Sequence, residues 1–300
     1  MAQTLILIFA VLSLSQAGNL IRLCDTSAIT ITFYRLLLAL LIMLPFAAKK
    51  LRRLLPTVGP KVLFTIFLMS LAFSSHFFAW ITAIQKTKVA NAAICFSFSP
   101  IFTALGAYLF LKEAINVRLF LAITGGVLGI FFVSQGDLSL SPGYFEGDLY
   151  ALLSGFLFSI HCLLGRTLRK NIPNLFIMSL LYFFGVLTSL AVIFFLDAPL
   201  WGFNLKTQIG FVSLAVFPTI LGHASLIYLM KYFTAATVST AILLEPVLAG
   251  IVAYFAFAET LTVWSTVGYA FIVAGLIPLY YFQQSRIKDK VLTRKIPLAQ

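Results

Sequence analysis

Glu245 is the residue whose chemistry stands out first, because it lies inside a long apolar stretch of the chain. If that stretch crosses a bilayer, a carboxyl group near its centre costs about 3 kcal/mol on insertion scales, so it should face a cavity or a partner. Three roles are open for it: a proton carrier, a ligand for a substrate amine, or the structural partner of Arg35. Arg35, itself in an apolar stretch, can snorkel to the surface, bond carbonyls of a neighbouring helix, or clamp a carboxylate or phosphate.

All three histidines of the chain, His76, His161 and His223, also lie in apolar stretches. None has metal-ligand spacing with another histidine, a cysteine or a carboxylate, so we expect no zinc and no other metal. His76 shares a helix face with Trp80, and His223 shares one with Thr219. An imidazole in a polar lumen can bind or sense protons. A histidine that is simply bonded to a neighbouring helix is the alternative for each.

Pro100 and Pro246 occupy matching positions in two further apolar stretches. Pro100 follows Val89, and Pro246 follows Ala235, by 11 residues, or about 16 Å at helical rise. A proline inside a spanning helix frees the carbonyl four residues before it and can bend the helix. The matched depth predicts kinks that gate a pathway or offer carbonyls to a solute, with a purely structural kink as the alternative.

Polar side chains recur every four residues around Pro100, at positions 91, 95, 99 and 103, and therefore form one row on a helix. Such a row indicates either close helix packing or the wall of a cavity. Packing alone would not explain Glu245, which lies on the corresponding row around Pro246, so we predict a cavity. The full set of predicted binding or coupling residues is Gln16, Arg35, His76, Trp80, Asn91, Ser99, His223, Tyr228, Thr237 and Glu245, with Pro100 and Pro246 as kink or gating residues; none is predicted to be catalytic.

The elements that must position these residues are membrane-spanning helices. Mean hydropathy is +1.03, 61% of the 300 residues are hydrophobic and 10% are charged, which is more apolar surface than a soluble chain can bury. A span needs about 20 apolar residues, and its backbone must be satisfied internally, which predicts helices. Ten such runs can be marked, at 3–20, 28–48, 62–84, 89–111, 118–135, 149–165, 174–196, 208–230, 235–258 and 261–282.

The net charge of +12 is a topology signal, not a sign of nucleic-acid binding. With the N-terminus inside, the outer loops hold only four of the 21 basic residues, Arg22, Lys86, Lys88 and Lys206, and Arg35 lies in a span. The other sixteen (21 − 4 − 1) fall in inner loops and the tail. Both termini are therefore predicted to be cytoplasmic.

The cysteines indicate neither disulfides nor a metal site, and the first apolar run is expected to be a helix and not a cleaved signal peptide. Cys24, Cys95 and Cys162 are odd in number and irregularly spaced, which predicts neither a disulfide framework nor a metal site. The run 5–14, followed by Ser15-Gln16-Ala17, resembles a secretory signal peptide but lacks a basic front end. Its removal would leave nine spans, so we expect it to be retained as the first helix.

The chain repeats itself at a shift of 146 residues. Between 100–129 and 246–275 the ungapped shift pairs identical residues at 100/246, 107/253, 108/254, 113/259, 117/263, 127/273 and 129/275. The shift crosses five spans, an odd number, so the second copy is inverted, as in secondary transporters. We therefore predict a first five-helix repeat at 1–136, a second at 147–283 and a basic cytoplasmic tail at 284–300. The paired Glu113 and Glu259 are expected to cap the helix that follows each.

Several motifs recur around these landmarks. They are Tyr34-Arg35 before the apolar run 36–45, Ser99-Pro100 through Leu111-Lys112-Glu113, Gly147-Asp148-Leu149, Leu244-Glu245-Pro246-Val247 with Ala258-Glu259-Thr260, and the glycines of 125–129 and 268–275. In these motifs the chain resembles the ten-helix, EamA-type members of the drug/metabolite transporter superfamily, over essentially its full length. The resemblance implies two inverted five-helix repeats around a central cavity that moves amino acids or other small metabolites.

The leading hypothesis is a secondary transporter, exporter or exchanger, in the cell (inner) membrane, with a small polar or amphipathic metabolite and the lipid bilayer as its partners. The sequence has no Walker-type motif, so gradients would supply the energy, and protons are one candidate coupling ion. No cofactor is expected. A membrane-embedded enzyme would need clustered acids or histidines, whereas the nine acids are scattered. A non-transporting scaffold or sensor is the other alternative.

Overall fold

The computed structural model describes residues 2–135, 142–257 and 262–295, with side chains described except at 253–257 and 280–295. Its α-helices are α1 (Ala2–Ser15), α2 (Ala17–Ile21), α3 (Ala28–Leu54), α4 (Pro60–Lys86), α5 (Val89–Phe96), α6 (Ser99–Leu111), α7 (Val117–Ser134), α8 (Phe145–Leu168), α9 (Asn174–Leu196), α10 (Leu205–Leu214), α11 (Ser225–Leu229), α12 (Ala235–Ala241), α13 (Glu245–Phe257) and α14 (Val263–Lys295). Short 3₁₀ turns lie at Pro142–Tyr144 and Ile242–Leu244, and a π-helical segment lies at Ala215–Ala224.

These helices group into the ten predicted spans, and the chain is an all-α, multi-pass membrane protein. Nine helical runs in the described part are long and apolar enough to cross a bilayer. The tenth has a shorter apolar part, Val263–Leu279. Its helix continues to Lys295, so most of the predicted tail extends the last helix.

Polar caps explain where several helices begin. Asn116 Oδ1 accepts from the Leu119 amide at 2.9 Å, and Thr234 Oγ1 accepts from the Thr237 amide at 3.1 Å. Near lipid, an unsatisfied amide costs more than in water, so these caps fix the helix starts. The cysteines are free thiols; Cys24, in the turn between the first two spans, is buried, and burial raises the pKa of its thiol to about 11.

Small residues allow the last helices of the two halves to meet. A Cβ on Gly129 of α7 would lie 2.6 Å from the Gly268 carbonyl oxygen of α14, and a Cβ on Gly268 would lie 2.4 Å from the Gly129 oxygen. Only glycine lets the two backbones come this close. The glycine patterns in these helices therefore hold α7 against α14.

The first helix packs within the bundle. Leu7, Ala10, Val11 and Leu14 are buried, and a Cβ on Gly222 of the π segment would lie 2.7 Å from Leu14 Cγ. The end of this helix therefore lies against the π segment, beside the polar residues described below.

Candidate functional site

Two small adjoining cavities lie where both halves of the bundle meet. We call the first the Arg35 cavity, with a volume of about 30 Å³, and the second the Ser99 cavity, of about 50 Å³. The Arg35 cavity is lined by Leu14, Ala17, Arg35, His76, Phe77, Trp80, Phe96, His223, Ile242 and Glu245. The Ser99 cavity is lined by Trp80, Ala93, Phe96, Ser97, Ser99, Ile130, Ile242, Leu243, Glu245 and Pro246.

Six of the predicted site residues therefore lie at these cavities, together with Pro246. They are Arg35, His76, Trp80, Ser99, His223 and Glu245. Glu245 lines both cavities, as does Trp80, whose ring lies 5.0 Å from that of Phe96. Ligand pockets usually measure about 300–1,000 Å³. These cavities have room for a few water molecules, so the helices must separate before a metabolite can enter.

Arg35 is held rigidly inside the bundle. Its side chain is 1% exposed, its Nε donates to Thr219 Oγ1 at 2.5 Å, and its guanidinium carbon lies 3.5 Å from the centre of the Phe77 ring. The alternative in which Arg35 snorkels to the surface is wrong, because the Thr219 hydroxyl and the cation–π contact with Phe77 hold the guanidinium beside the cavity. Among the described residues its bond is to a side chain of the π segment and not to backbone carbonyls.

Glu245 and Arg35 both line the Arg35 cavity but form no ion pair with each other. The ion pairs within 4.0 Å in the described part of the chain are Lys86–Glu146 and Arg166–Glu113, and neither involves these two residues. Glu245 begins α13 and is partly exposed. A carboxylate and a guanidinium on one cavity can bind the two ends of a zwitterion, or the carboxylate can carry a proton.

The π segment contains Thr219, which accepts a hydrogen bond from Arg35, and His223, which lines the Arg35 cavity. Thr219 Oγ1 donates to the Leu214 carbonyl, five residues back, at 2.7 Å, and the Tyr182 hydroxyl donates to the Thr219 carbonyl at 3.1 Å. Pro218 removes one amide donor at this point, which favours the wider turn. π-helical turns are frequent at functional sites, and this one supplies the acceptor for Arg35.

The three histidines form one aromatic cluster around Phe73. The Phe73 ring is stacked on the His161 ring, with the ring centres 4.4 Å apart, and lies edge-on to the His223 ring at 4.9 Å. The ring centres of His76 and His223 are 5.7 Å apart. His76 Nδ1 lies 2.8 Å from Ser154 Oγ, whereas His223 Nδ1 is buried without a partner among the described residues. His76 and His223 line the Arg35 cavity, and His161 lies behind them.

Both prolines coincide with breaks in their spans. Pro100 follows the break between α5 and α6, and Pro246 follows the 3₁₀ turn between α12 and α13. Each lacks the amide that would bond the carbonyl four residues back, which belongs to Phe96 or Ile242. Ile242 O accepts from the Glu245 amide instead, so one of the two carbonyls expected to be free is satisfied within the turn.

Four predicted residues lie outside the lining of both cavities. Asn91 donates to Asp148 Oδ2 at 3.1 Å, and Thr237 shares a hydroxyl–hydroxyl contact of 2.7 Å with the cap of α12. Gln16, at the break between α1 and α2, donates to the Ser15 hydroxyl at 3.0 Å. Tyr228 lies near the end of α11, close to the turn from α8 to α9. At these helix ends the polar side chains satisfy backbone or neighbouring groups.

Glu113 is a structural residue, but it serves a different helix from the one expected. Arg166 Nε donates to Glu113 Oε1 at 2.7 Å, and the Ala235 amide at the start of α12 donates to Oε2 at 3.2 Å. The following helix, α7, is capped by Asn116, so Glu113 is directed across to α12. Its repeat partner Glu259 lies outside the described residues.

Sequence reasoning missed Phe77 and Phe96 as cavity walls and Thr219 as the acceptor for Arg35. The only sequence signal for Thr219 was its spacing from His223 and the adjacent Pro218. Apolar rings give no signal in a chain with 31 phenylalanines.

The chain matches the model of the EamA-like transporter family twice, over residues 2–135 and 145–281. Two matches of similar length imply that the halves are repeats. The members of this family are transporters and not enzymes.

Curated relatives are similar along most of their length. An uncharacterized transporter of Archaeoglobus fulgidus is 28% identical over 86% of this chain and 88% of its own length. One of Clostridium kluyveri is 25% identical, over 81% and 80%, and YdfC of Bacillus subtilis, also an uncharacterized transporter, is 24% identical, over 83% and 81%. A solved crystal structure superposes with a TM-score of 0.77 over 95% of this chain and 98% of its own, at 15% identity, which supports the fold alone.

Proposed function

Because the chain belongs to the EamA-like transporter family, we propose that it is a secondary transporter of a small polar or amphipathic metabolite, such as an amino acid, working by alternating access. The observation that carries the proposal is a carboxylate, Glu245, and a guanidinium, Arg35, on one cavity with no ion pair between them. Charged side chains inside a membrane-spanning bundle are costly and usually mark substrate or ion pathways.

In the proposed binding mode, Arg35 holds the carboxylate of a zwitterionic substrate and Glu245 holds its amine. Trp80 and Phe77 supply aromatic walls for the apolar part of the substrate. Asn91, Thr237, Gln16 and Tyr228 remain candidates only for states in which the helices have moved. Ser99, whose buried hydroxyl has no partner among the described residues, is a further substrate donor.

The repeats at 1–136 and 147–283 are proposed to move against each other, with Pro100 and Pro246 as the flexible points. Gradients drive the movement, and protons carried by Glu245 or the histidine cluster are the proposed coupling ion. Both termini are proposed to lie on the cytoplasmic side of the cell membrane, where sixteen of the basic residues would lie (21 less the four in outer loops and Arg35). Export or exchange is the proposed direction.

The experiment is uptake of individual radiolabelled amino acids into proteoliposomes, with and without an imposed pH gradient. Glu245→Gln and Arg35→Gln are each expected to lower uptake at least tenfold, because a hydrogen bond to a charged group contributes about 1.5–3 kcal/mol. The matched control is Glu146→Gln, which removes a carboxylate from an exposed surface pair and should leave uptake within about twofold of wild type.

Substrate exchange without a gradient separates the two roles of Glu245. A glutamine is a neutral mimic of the protonated acid, so if Glu245 carries the proton, Glu245→Gln should lose gradient-driven uptake and keep exchange. If Glu245 binds the amine, both should be lost. Unchanged uptake in both the Glu245 and the Arg35 variants would refute the proposed site.

A further inference from the structure

We propose that a groove at the helix ends remote from the Ser99 and Arg35 cavities binds a phosphate-bearing anion, either the headgroup of an anionic phospholipid or a free phosphate. The groove has a volume of about 540 Å³ and lies between the end of α3, the turn from α8 to α9 and the end of α11. It is an order of magnitude larger than either central cavity, and of its lining residues only Tyr228 is also a candidate for substrate binding.

Four cations line this groove, and no carboxylate does. They are Lys50, Arg169, Lys170 and Lys231. The three lysines are exposed, whereas Arg169 is only 6% exposed. The two ion pairs within 4.0 Å among described residues lie elsewhere, so no described acidic group neutralises these four charges.

Arg169 provides a fixed floor for the groove. Its Nη1 donates to the Ile172 carbonyl at 2.6 Å and its Nε to the Ile227 carbonyl at 3.2 Å. These bonds hold the guanidinium between the α8–α9 turn and α11 but do not neutralise it. A fixed cation beneath three flexible lysines suits a compact oxyanion.

The start of α9 lines the same groove. This helix of 23 residues begins at Asn174, which lines the groove, and Pro173 at its cap position provides no side-chain bond. The first amides of a helix have no intrahelical partner, and the helix dipole favours an anion there. Tyr228 contributes a phenol at the groove wall.

The general excess of basic residues on this face accounts for the sign of the charge but not for its arrangement. A topology signal requires cations in the loops, and the chain has many that lie outside the groove, such as Arg52, Arg53 and Lys61. Four cations around one groove that is also lined by a helix start form a site that can bind a phosphate group. Basic pockets between spans at this level bind lipid headgroups.

The test is native mass spectrometry of the full-length protein equilibrated with micelles that contain phosphatidylglycerol and phosphatidylcholine of equal chain length. The wild type should retain phosphatidylglycerol preferentially. The triple variant Lys50→Gln, Lys170→Gln, Lys231→Gln should lose that affinity more than tenfold, since each cation near an anionic headgroup contributes roughly fivefold. The lysines are exposed, so the variant is expected to fold.

The control is the triple variant Arg52→Gln, Arg53→Gln, Lys61→Gln, which removes the same charge from exposed positions on the same face. Its retention of phosphatidylglycerol should stay close to that of wild type. In a parallel arm, millimolar inorganic phosphate is tested for its effect on the melting temperature. Stabilisation of wild type but not of the groove variant, without lipid preference, would assign the groove to free phosphate. Equal behaviour of the two triple variants in both arms would overturn the proposal.

Discussion

Replacing Thr219 with valine should release Arg35 from its only described hydrogen-bond acceptor and destabilise the protein. Valine has nearly the same shape as threonine but lacks the hydroxyl that accepts from Arg35 Nε at 2.5 Å and donates to the Leu214 carbonyl at 2.7 Å. The substitution therefore removes polar partners without opening a large cavity.

The magnitude follows from the burial of the groups. Hydrogen bonds between membrane helices average about 0.6 kcal/mol, but a bond to a charged group contributes roughly 1.5–3 kcal/mol. Arg35 is 1% exposed and cannot exchange Thr219 for bulk water, so we expect the higher range, about 2 kcal/mol. Thr219→Ser keeps the hydroxyl and should recover most of that free energy.

The assay is reversible unfolding of wild type, Thr219→Val and Thr219→Ser in mixed micelles with increasing SDS. A Thr219→Val free energy of unfolding within about 0.5 kcal/mol of wild type would refute the reasoning, because surface substitutions have effects of that size. Equal losses in the valine and serine variants would also refute it, since they would show that packing at position 219, not the hydroxyl, is what matters.

Two further predictions use matched controls and the same unfolding assay. Gly129→Ala should lower the free energy of unfolding by roughly 1–3 kcal/mol, because its Cβ would lie 2.6 Å from the Gly268 oxygen. The control Gly18→Ala, whose Cβ would have nothing within 4 Å, should not destabilise the protein. Equal effects of the two substitutions would argue against the close contact of α7 and α14. Glu113→Gln should lower the free energy of unfolding by roughly 1–3 kcal/mol, because it removes the carboxylate that pairs with the partly buried Arg166 and accepts from the start of α12. Glu146→Gln, which removes a carboxylate from an exposed pair, should lower it by less than about 1 kcal/mol. A reversed order of the two effects would contradict the role of Glu113.

The spans could be predicted because the bilayer imposes a strong physical constraint on sequence. Apolar runs of sufficient length, separated by short charged or proline-containing breaks, predict helices with little ambiguity. The all-α fold and its ten helices were predicted for this reason, and the repeated halves were predicted from the identities at a shift of 146 residues. The same rules predict where a helix begins less well, since caps such as Asn116 depend on local backbone geometry.

That Arg35 and Glu245 lie at one cavity could be predicted because placing charge inside a membrane is costly. Arg35 and Glu245 stood out in apolar runs, and the structure places them on one cavity. Asn91 shares a helical row with Ser99, and Thr237 shares one with Glu245, but both lie near helix starts, where polar side chains bond caps and neighbouring helices. Spacing along a helix gives direction around the axis, but it does not distinguish a cavity wall from a helix end.

The partner of Arg35 could not be predicted because it depends on an irregular turn. A π-helical segment shifts every later side chain around the helix axis relative to the 3.6-residue period. The position of Thr219 opposite Arg35 follows from the turn at Pro218, and the clustering of His76, His161 and His223 depends on how three different helices pack. Neither is encoded in a local pattern.

The central claim is that one cavity is reached in turn from the two sides of the membrane, and cysteine accessibility at Ala17 tests it most directly. Ala17 lines the Arg35 cavity, and the test uses a background in which the three native cysteines are replaced by serine. In proteoliposomes, Ala17→Cys should react with a membrane-impermeant thiol reagent added on either side, and a transported amino acid should slow both reactions. Labelling from one side only, or no labelling from either side in folded protein, would contradict the account.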